Sequence, residues 1–207
     1  MTQRQTFTKE MILDAAFTLV REKGWQAVTA RNIAQALGAS TMPIYSSVRS
    51  MEEVAQELGM RTFDLMQDYQ KRSWTENPTL NLAVGYVMFA KREPALFKFM
   101  YQERPNPIAF QDFARQAEFL TRSFSTVPGV TERMKELSQV PMEAMILNSW
   151  VYTHGLATLV SNKVLDVTDQ QIAQLLQEAG GAFYVWGQSR ARENKQENRQ
   201  ESKEDKE

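Results

Sequence analysis

Four hydroxyl-bearing side chains, Ser40, Thr41, Tyr45 and Ser46, fall within seven consecutive residues directly after Gly38-Ala39. A hydroxyl both donates and accepts, so this density suits hydrogen bonding to phosphate oxygens and base edges, and Tyr45 has the reach for a phosphate. Upstream, Thr29 and the free N–H groups of a helix that starts after it form a second phosphate seat. Other chemistries find little to work with. The chain has one histidine, His154, and no cysteine, which argues against conventional transition-metal sites and Cys-His nucleophiles. Glu143 and His154 are not at facing helical spacing and make no acid–base pair. No catalytic residue, metal ligand or cofactor is expected.

The elements that must position these hydroxyls read as helices almost throughout, and the expected fold class is all-α. Thr8 caps the first helix, with Phe7 and Ile12 as a hydrophobic staple. Met11, Ile12, Ala15, Ala16, Leu19 and Val20 then form one apolar face that ends at Gly24. Thr29 caps the second helix, stapled by Val28 and Ile33 and stopped at Gly38. Ser40 is expected to cap a short third helix through Ser47, with Pro43 harmless in its first turn. Ser50-Met51-Glu52-Glu53 is a capping box opening a long fourth helix to about Arg72. Helices follow over about 79–92, 94–103, 107–125 and 131–139, separated by proline-bearing breaks. Pro141 opens another to about Asn162, and Thr168 caps a last one to about Arg190.

Two short helices joined by Gly38-Ala39 and preceded by a packing helix make a helix-turn-helix. The run Ile12, Ala15-Ala16, Gly24, Val28-Thr29, Ile33-Ala34, Leu37-Gly38-Ala39-Ser40, Ile44-Tyr45, Ser50 and Glu52 resembles the DNA-binding head of the tetracycline-repressor (TetR) family over roughly residues 8–55. The resemblance implies a three-helix head joined by the fourth helix to a helical body that dimerises and senses a ligand. It places Thr29, Arg31, Ser40, Thr41, Met42, Pro43, Tyr45, Ser46 and Ser47 at or beside the DNA, with Met42 suited to a thymine methyl. Three positions depart from the family pattern: Val48 replaces a common aromatic, Ser47 a His or Tyr nearby, and Met51 a Lys that reaches a phosphate. Arg49 is expected to take over that phosphate from two residues earlier.

In the last helix Ile172, Leu175, Leu176, Ala179, Phe183 and Trp186 form a stripe beside Gly180, Gly181 and Gly187. A glycine inside a helix costs about 1 kcal/mol relative to alanine, which points to close approach. The preceding helix carries a stripe of Met142, Met145, Ile146, Ser149, Thr153, Leu156 and Val160. By the resemblance, two such helices from each of two subunits build a four-helix interface, to which Ile146, Ser149, Thr153, Leu176, Ala179, Gly180 and Phe183 are assigned. A second stripe, Leu147, Trp150, Val151 and His154, faces a pocket or the core, and Trp150…His154-Gly155 resembles the body of one TetR subgroup. Tyr86, Phe89, Phe97, Met100, Tyr101, Phe119, Met145, Trp150 and His154 are the candidate ligand contacts. Phe113 and Phe124 are of the same type, and all of these suit an ordinary core as well.

Composition supports this reading. Residues 1–50 hold six basic and three acidic side chains, a charge of +3; the whole chain stands at −1, leaving −4 for the rest. A basic head on an acidic body fits a DNA-reading module. The opening residues lack the apolar core of a secretory signal, no run is long enough to span a membrane, and the absence of cysteine suits a reducing cytoplasm. The expected organisation is a DNA-binding head over 1–50, a connector and ligand-binding, dimerising body over 51–187, and a charged, disordered tail over 188–207. The expected function is a repressor released from a palindromic operator by an apolar or aromatic molecule, acting as a homodimer on double-stranded DNA with no membrane partner. The alternative is a TetR-like protein that binds another protein and no DNA; a helical enzyme has no catalytic pair to rest on.

Overall fold

The computed structural model describes residues 7–103 and 142–204, with the side chains of 142–146, 191 and 194–204 outside that description. Every regular element among the described residues is helical: α1 (Lys9–Lys23), α2 (Ala30–Ala36), α3 (Met42–Ser47), α4 (Met51–Gln70), α5 (Pro78–Arg92), α6 (Pro94–Lys98), α7 (Met142–Ser161) and α8 (Asp169–Glu204). A 3₁₀ turn, Trp25–Ala27, precedes α2, and a π-helical turn, Phe99–Glu103, continues α6. The helices expected over 107–125 and 131–139 lie outside the described residues.

Two compact units share the chain: residues 1–68 with 89–106, and residues 69–88 with 107–207. In the first, the Thr8 hydroxyl accepts from the Met11 N–H and the Thr29 hydroxyl from the Asn32 N–H, as capping requires. Gly24 and Gly38 both have positive φ, +81° and +64°, so the chain turns where a side chain would be strained. Phe7, Ile12, Ala16, Val20, Val28, Ile33, Ile44, Val48, Val54 and Leu58 are buried and form the core that fixes α1–α4. Pairing of α2 with α3, and of α1 with α2 and α6, completes the unit.

Three expectations change. Thr41, not Ser40, is the residue before α3, and it makes no side-chain cap; the hydroxyls there remain available for other partners. At α4 the Glu53 N–H does bond to Ser50 Oγ, at 3.2 Å, but the Glu53 carboxylate reaches the Arg49 N–H at 2.7 Å, so the box closes one residue early. α8 runs on to Glu204, through the segment read as a disordered tail. Nothing after Gly187 breaks a helix, and the Gln, Glu, Lys and Arg that fill 188–204 are good helix formers.

In the second unit α7 packs against α8 through a short connection, with Leu156, Ala157, Val160, Ile172 and Leu176 buried. Ahead of α5, Trp74 stacks on Tyr69 at 6.2 Å between ring centres and donates from Nε1 to the Tyr69 carbonyl, while the Arg72 guanidinium lies 4.0 Å over the Tyr69 ring. No helix among the described residues is long and apolar enough to cross a membrane.

Candidate nucleic-acid interface

α3 is short, and one side of it is core. Ile44 and Val48 are fully or nearly buried, which leaves Thr41, Met42, Tyr45 and Ser46 outside. Met42 is 69% and Tyr45 64% exposed, far more than residues this apolar show when packing is their purpose. Ser40 and Arg31 are exposed beside them and Pro43 is half-buried. The Ser46 hydroxyl donates to the Pro43 carbonyl at 2.9 Å and keeps its lone pairs for an outside donor. Thr29 uses its oxygen as the α2 cap, at 3.1 Å from the Asn32 nitrogen, and keeps its proton for a phosphate.

Ser47 stands apart from this face. It is half-buried and its hydroxyl donates to the Phe7 carbonyl at 2.9 Å, tying α3 to the start of the head. Arg49 is exposed and makes no ion pair among the described residues, so its guanidinium is open to a phosphate. Met51 is half-buried.

The head is braced by ion pairs that the sequence reading missed. Lys9 Nζ lies 2.8 Å from Glu53 and 2.7 Å from Glu57, and Arg61 bonds to Asp14 at 2.7 Å and to Glu10. The pattern is reciprocal: a base on α1 bridges two acids a turn apart on α4, and a base on α4 does the same on α1. The signal was present as Glu10/Asp14 and Glu53/Glu57, like charges four apart that require an outside cation. Lys9 and the Arg49 N–H hold the Glu53 carboxyl below its ordinary range. On the far side of α1, Arg21 forks onto Glu93, which is 5% exposed, and Trp25 packs on Phe99 at 5.1 Å while its N–H donates to Glu103.

The ligand candidates separate into different environments. Phe89 and Phe97 are completely buried and meet edge to face at 6.5 Å. Tyr101 is half-buried, stacks obliquely on Phe97 and donates to the Met66 sulfur at 3.6 Å. In the second unit Tyr86 Oη and His154 Nδ1 share a hydrogen bond of 2.9 Å, and Trp150 stacks on the His154 ring at 4.8 Å. Phe119, like Phe113 and Phe124, lies outside the described residues, as does the side chain of Met145.

Burial lowers the His154 pKa from its ordinary value. The folded chain then holds this proton less tightly than the unfolded one, so His154 favours folding above about pH 6.5 and the advantage is lost as pH falls below it. Stability measured by urea unfolding is expected to fall between pH 7 and pH 5, and His154→Gln to flatten that fall.

Of the expected interface residues, Thr153 and Leu176 are buried within the chain, at 7% and 4% exposure, and Thr153 Oγ1 donates to the Ser149 carbonyl. Ser149 and Ala179 are half-buried, Gly180 is exposed, Phe183 meets Tyr152 edge-on at 6.2 Å, and the Ile146 side chain lies outside the description. The outward apolar residues are instead Val151, Tyr152 and Leu159 on α7 and Tyr184, Val185 and Trp186 on α8.

Comparison with known proteins agrees with the architecture. The family described as bacterial regulatory proteins, tetR family, matches residues 12–58, and the tetracyclin repressor-like C-terminal domain matches residues 79–182, half of the chain. A protein of Bacillus subtilis (strain 168) named as the uncharacterized HTH-type transcriptional regulator YobS is 26% identical over 102 residues, covering 47% of this chain and 53% of that protein. The chain thus spans about half the length of the curated relative it matches. A solved structure of a protein with unknown function from Rhodococcus sp. RHA1 superposes with a TM-score of 0.61 at 18% identity, covering 89% of this chain and 97% of that one, which shows the shared fold. With its head and its body each matched, this chain belongs to the tetR family of bacterial regulatory proteins.

Proposed function

We propose that this chain is a dimeric DNA-binding transcriptional repressor, released from a palindromic operator by a small apolar molecule in the cytoplasm. The observation that carries the reading is the outer face of α3. Met42 and Tyr45 stand in solvent beside Thr41 and Ser46 on a helix whose other side is locked into the core. That is the arrangement a recognition helix needs: rigid from behind, polar and reachable in front. Sequencing of genomic fragments retained by the purified protein, at two salt concentrations, tests it. Recovery of one palindrome with half-sites about a turn or more apart supports a dimeric regulator. Retention of nothing above background at low salt favours a protein partner instead.

The missing lysine sets the salt dependence. With Met51 at the start of α4 and Arg49 as the nearer cation, each head is expected to release one counterion fewer if Arg49 is replaced by alanine. For a dimer the slope of log affinity against log salt should shallow by about 2, and Met51→Lys should steepen it by a similar amount. Binding titrations at four salt concentrations check both.

Dimerisation is inferred from the glycines. A Cβ added at Gly155, Gly180 or Gly181 would meet nothing within 4 Å among the described residues, so none of these requires glycine there. Val151, Tyr152, Leu159 and Val185 are exposed on the same two helices. A second copy approaching closely over these positions accounts for both features. Gly181→Phe is expected to leave the helical signal intact and convert the dimer to monomer in sedimentation velocity.

A further inference from the structure

With eleven methionines and no cysteine, the chain offers a peroxide thioethers and no thiol. The methionines are unevenly placed. Met66 and Met88 are buried, out of reach of an oxidant in solution, and Met51 and Met100 are half-buried. Met42 and Met60 stand open, at 69% and 56% exposure, and Met42 is the most exposed of the described methionines. It is also the first residue of α3, beside the exposed Thr41, Tyr45 and Ser46. Methionine earns its place in most proteins by filling gaps in a core. At this position it fills none, so its apolar surface is available to whatever α3 meets.

Against DNA that surface suits a thymine methyl, and the contact depends on the sulfur staying apolar. Hydrogen peroxide changes it by transferring one oxygen atom. The peroxide O–O bond breaks, an S–O bond forms, the sulfur gives up two electrons, and water leaves. The product, a sulfoxide, is a strong dipole whose oxygen accepts hydrogen bonds and donates none. Pressed on a methyl group that oxygen is left without a donor, and its partial negative charge faces the phosphates. Ile44 and Val48 hold α3 from behind, so the oxidation alters what the helix presents and leaves the helix in place. We propose that Met42 is an oxidation-sensitive contact of the recognition helix, whose conversion to the sulfoxide by a peroxide releases the protein from DNA. Methionine sulfoxide reductases reverse the step. The inference rests on the DNA-facing reading of α3 above and adds to it an input that needs no bound ligand.

The test treats the full chain with hydrogen peroxide, removes the excess, and follows the protein in three ways. Peptide mass spectrometry locates the added oxygen, circular dichroism follows the helices, and a binding titration uses the palindrome recovered from genomic fragments. Oxidised protein is expected to carry oxygen at Met42, to keep its helical signal, and to bind about a hundredfold more weakly, about tenfold for each of two heads. Methionine sulfoxide reductases, one for each sulfoxide epimer, should restore the affinity. Each variant is compared with its own untreated form: treatment should cost Met42→Leu no more than about twofold, and Met60→Leu about as much as the parent. DNA bound beforehand should slow oxidation of Met42 and leave that of Met60 unchanged. Oxidation of Met42 that leaves binding intact overturns the proposal and keeps the DNA-binding reading. So does a loss in Met42→Leu as large as in the parent. Untreated protein that holds no duplex removes that reading, and the proposal with it.

Discussion

Tyr45→Ala is expected to weaken operator binding about a hundredfold while leaving the melting temperature within a degree or two. The side chain is 64% exposed on α3, while the residues on either side of it in the core, Ile44 and Val48, hold the helix in place without it. Truncation removes one phenolic hydrogen bond to a phosphate and the apolar contact of the ring, together about 1–1.5 kcal/mol per head. A palindrome engages two heads, which doubles the loss to about 2–3 kcal/mol. Tyr45→Phe separates the parts: keeping the ring and losing the hydroxyl should recover about half of the free energy. Binding of a fluorescent operator fragment measures both. An unchanged affinity in Tyr45→Ala would remove α3 from the DNA interface and favour a protein partner.

Gly85→Ala is expected to be strongly destabilising, because among the glycines whose surroundings are described only this one has no room for a methyl group. A Cβ at this position would stand 2.4 Å from the Tyr69 carbonyl oxygen and 2.5 Å from the Gln70 Cα, inside the closest approach that non-bonded atoms tolerate. Both obstacles are backbone, and the end of α4 is held there: the buried Gln70 side chain donates from Nε2 to the Leu82 carbonyl at 3.1 Å. Relief therefore requires moving one helix off the other, at a cost of about 3 kcal/mol or more. For a chain of this size that lowers the melting temperature by about 6–12 °C. Ala83→Gly, two residues away, makes the opposite exchange and should cost only about 1 kcal/mol of helix propensity. If Gly85→Ala melts no lower than Ala83→Gly, the close approach is absent in solution.

The head was readable from sequence because its decisive interactions are local. Thr8, Thr29 and Ser50 act within three residues of themselves, and Gly24 and Gly38 mark turns by a property of their own backbone. Ser40 misled because it has the type of a cap, while the chain places Thr41 next to α3 with a helical ψ that aims no side chain at the first turn. The body was less legible. Phe97 and Phe63 are the same residue type, each on a helix, yet one is fully buried and the other half-buried. Only the partner across the fold decides that, and partners are not written in helical period. The bridges from Lys9 and Arg61 span more than forty residues. Their acids were visible as pairs, but not which base would reach them.

Those bridges also bear on how the protein would find its site in a cell. Lys9 and Arg61 are held by carboxylates of α4 and α1, so two cations of the first unit are matched within the fold and carry less of their charge to a phosphate backbone. A head that grips indiscriminate duplex weakly spends less time on the millions of wrong positions in a genome. Fewer copies are then sequestered, and a small number of molecules suffices to keep one operator occupied. By matching these cations internally, the fold gives up part of the raw adhesion that any duplex would offer.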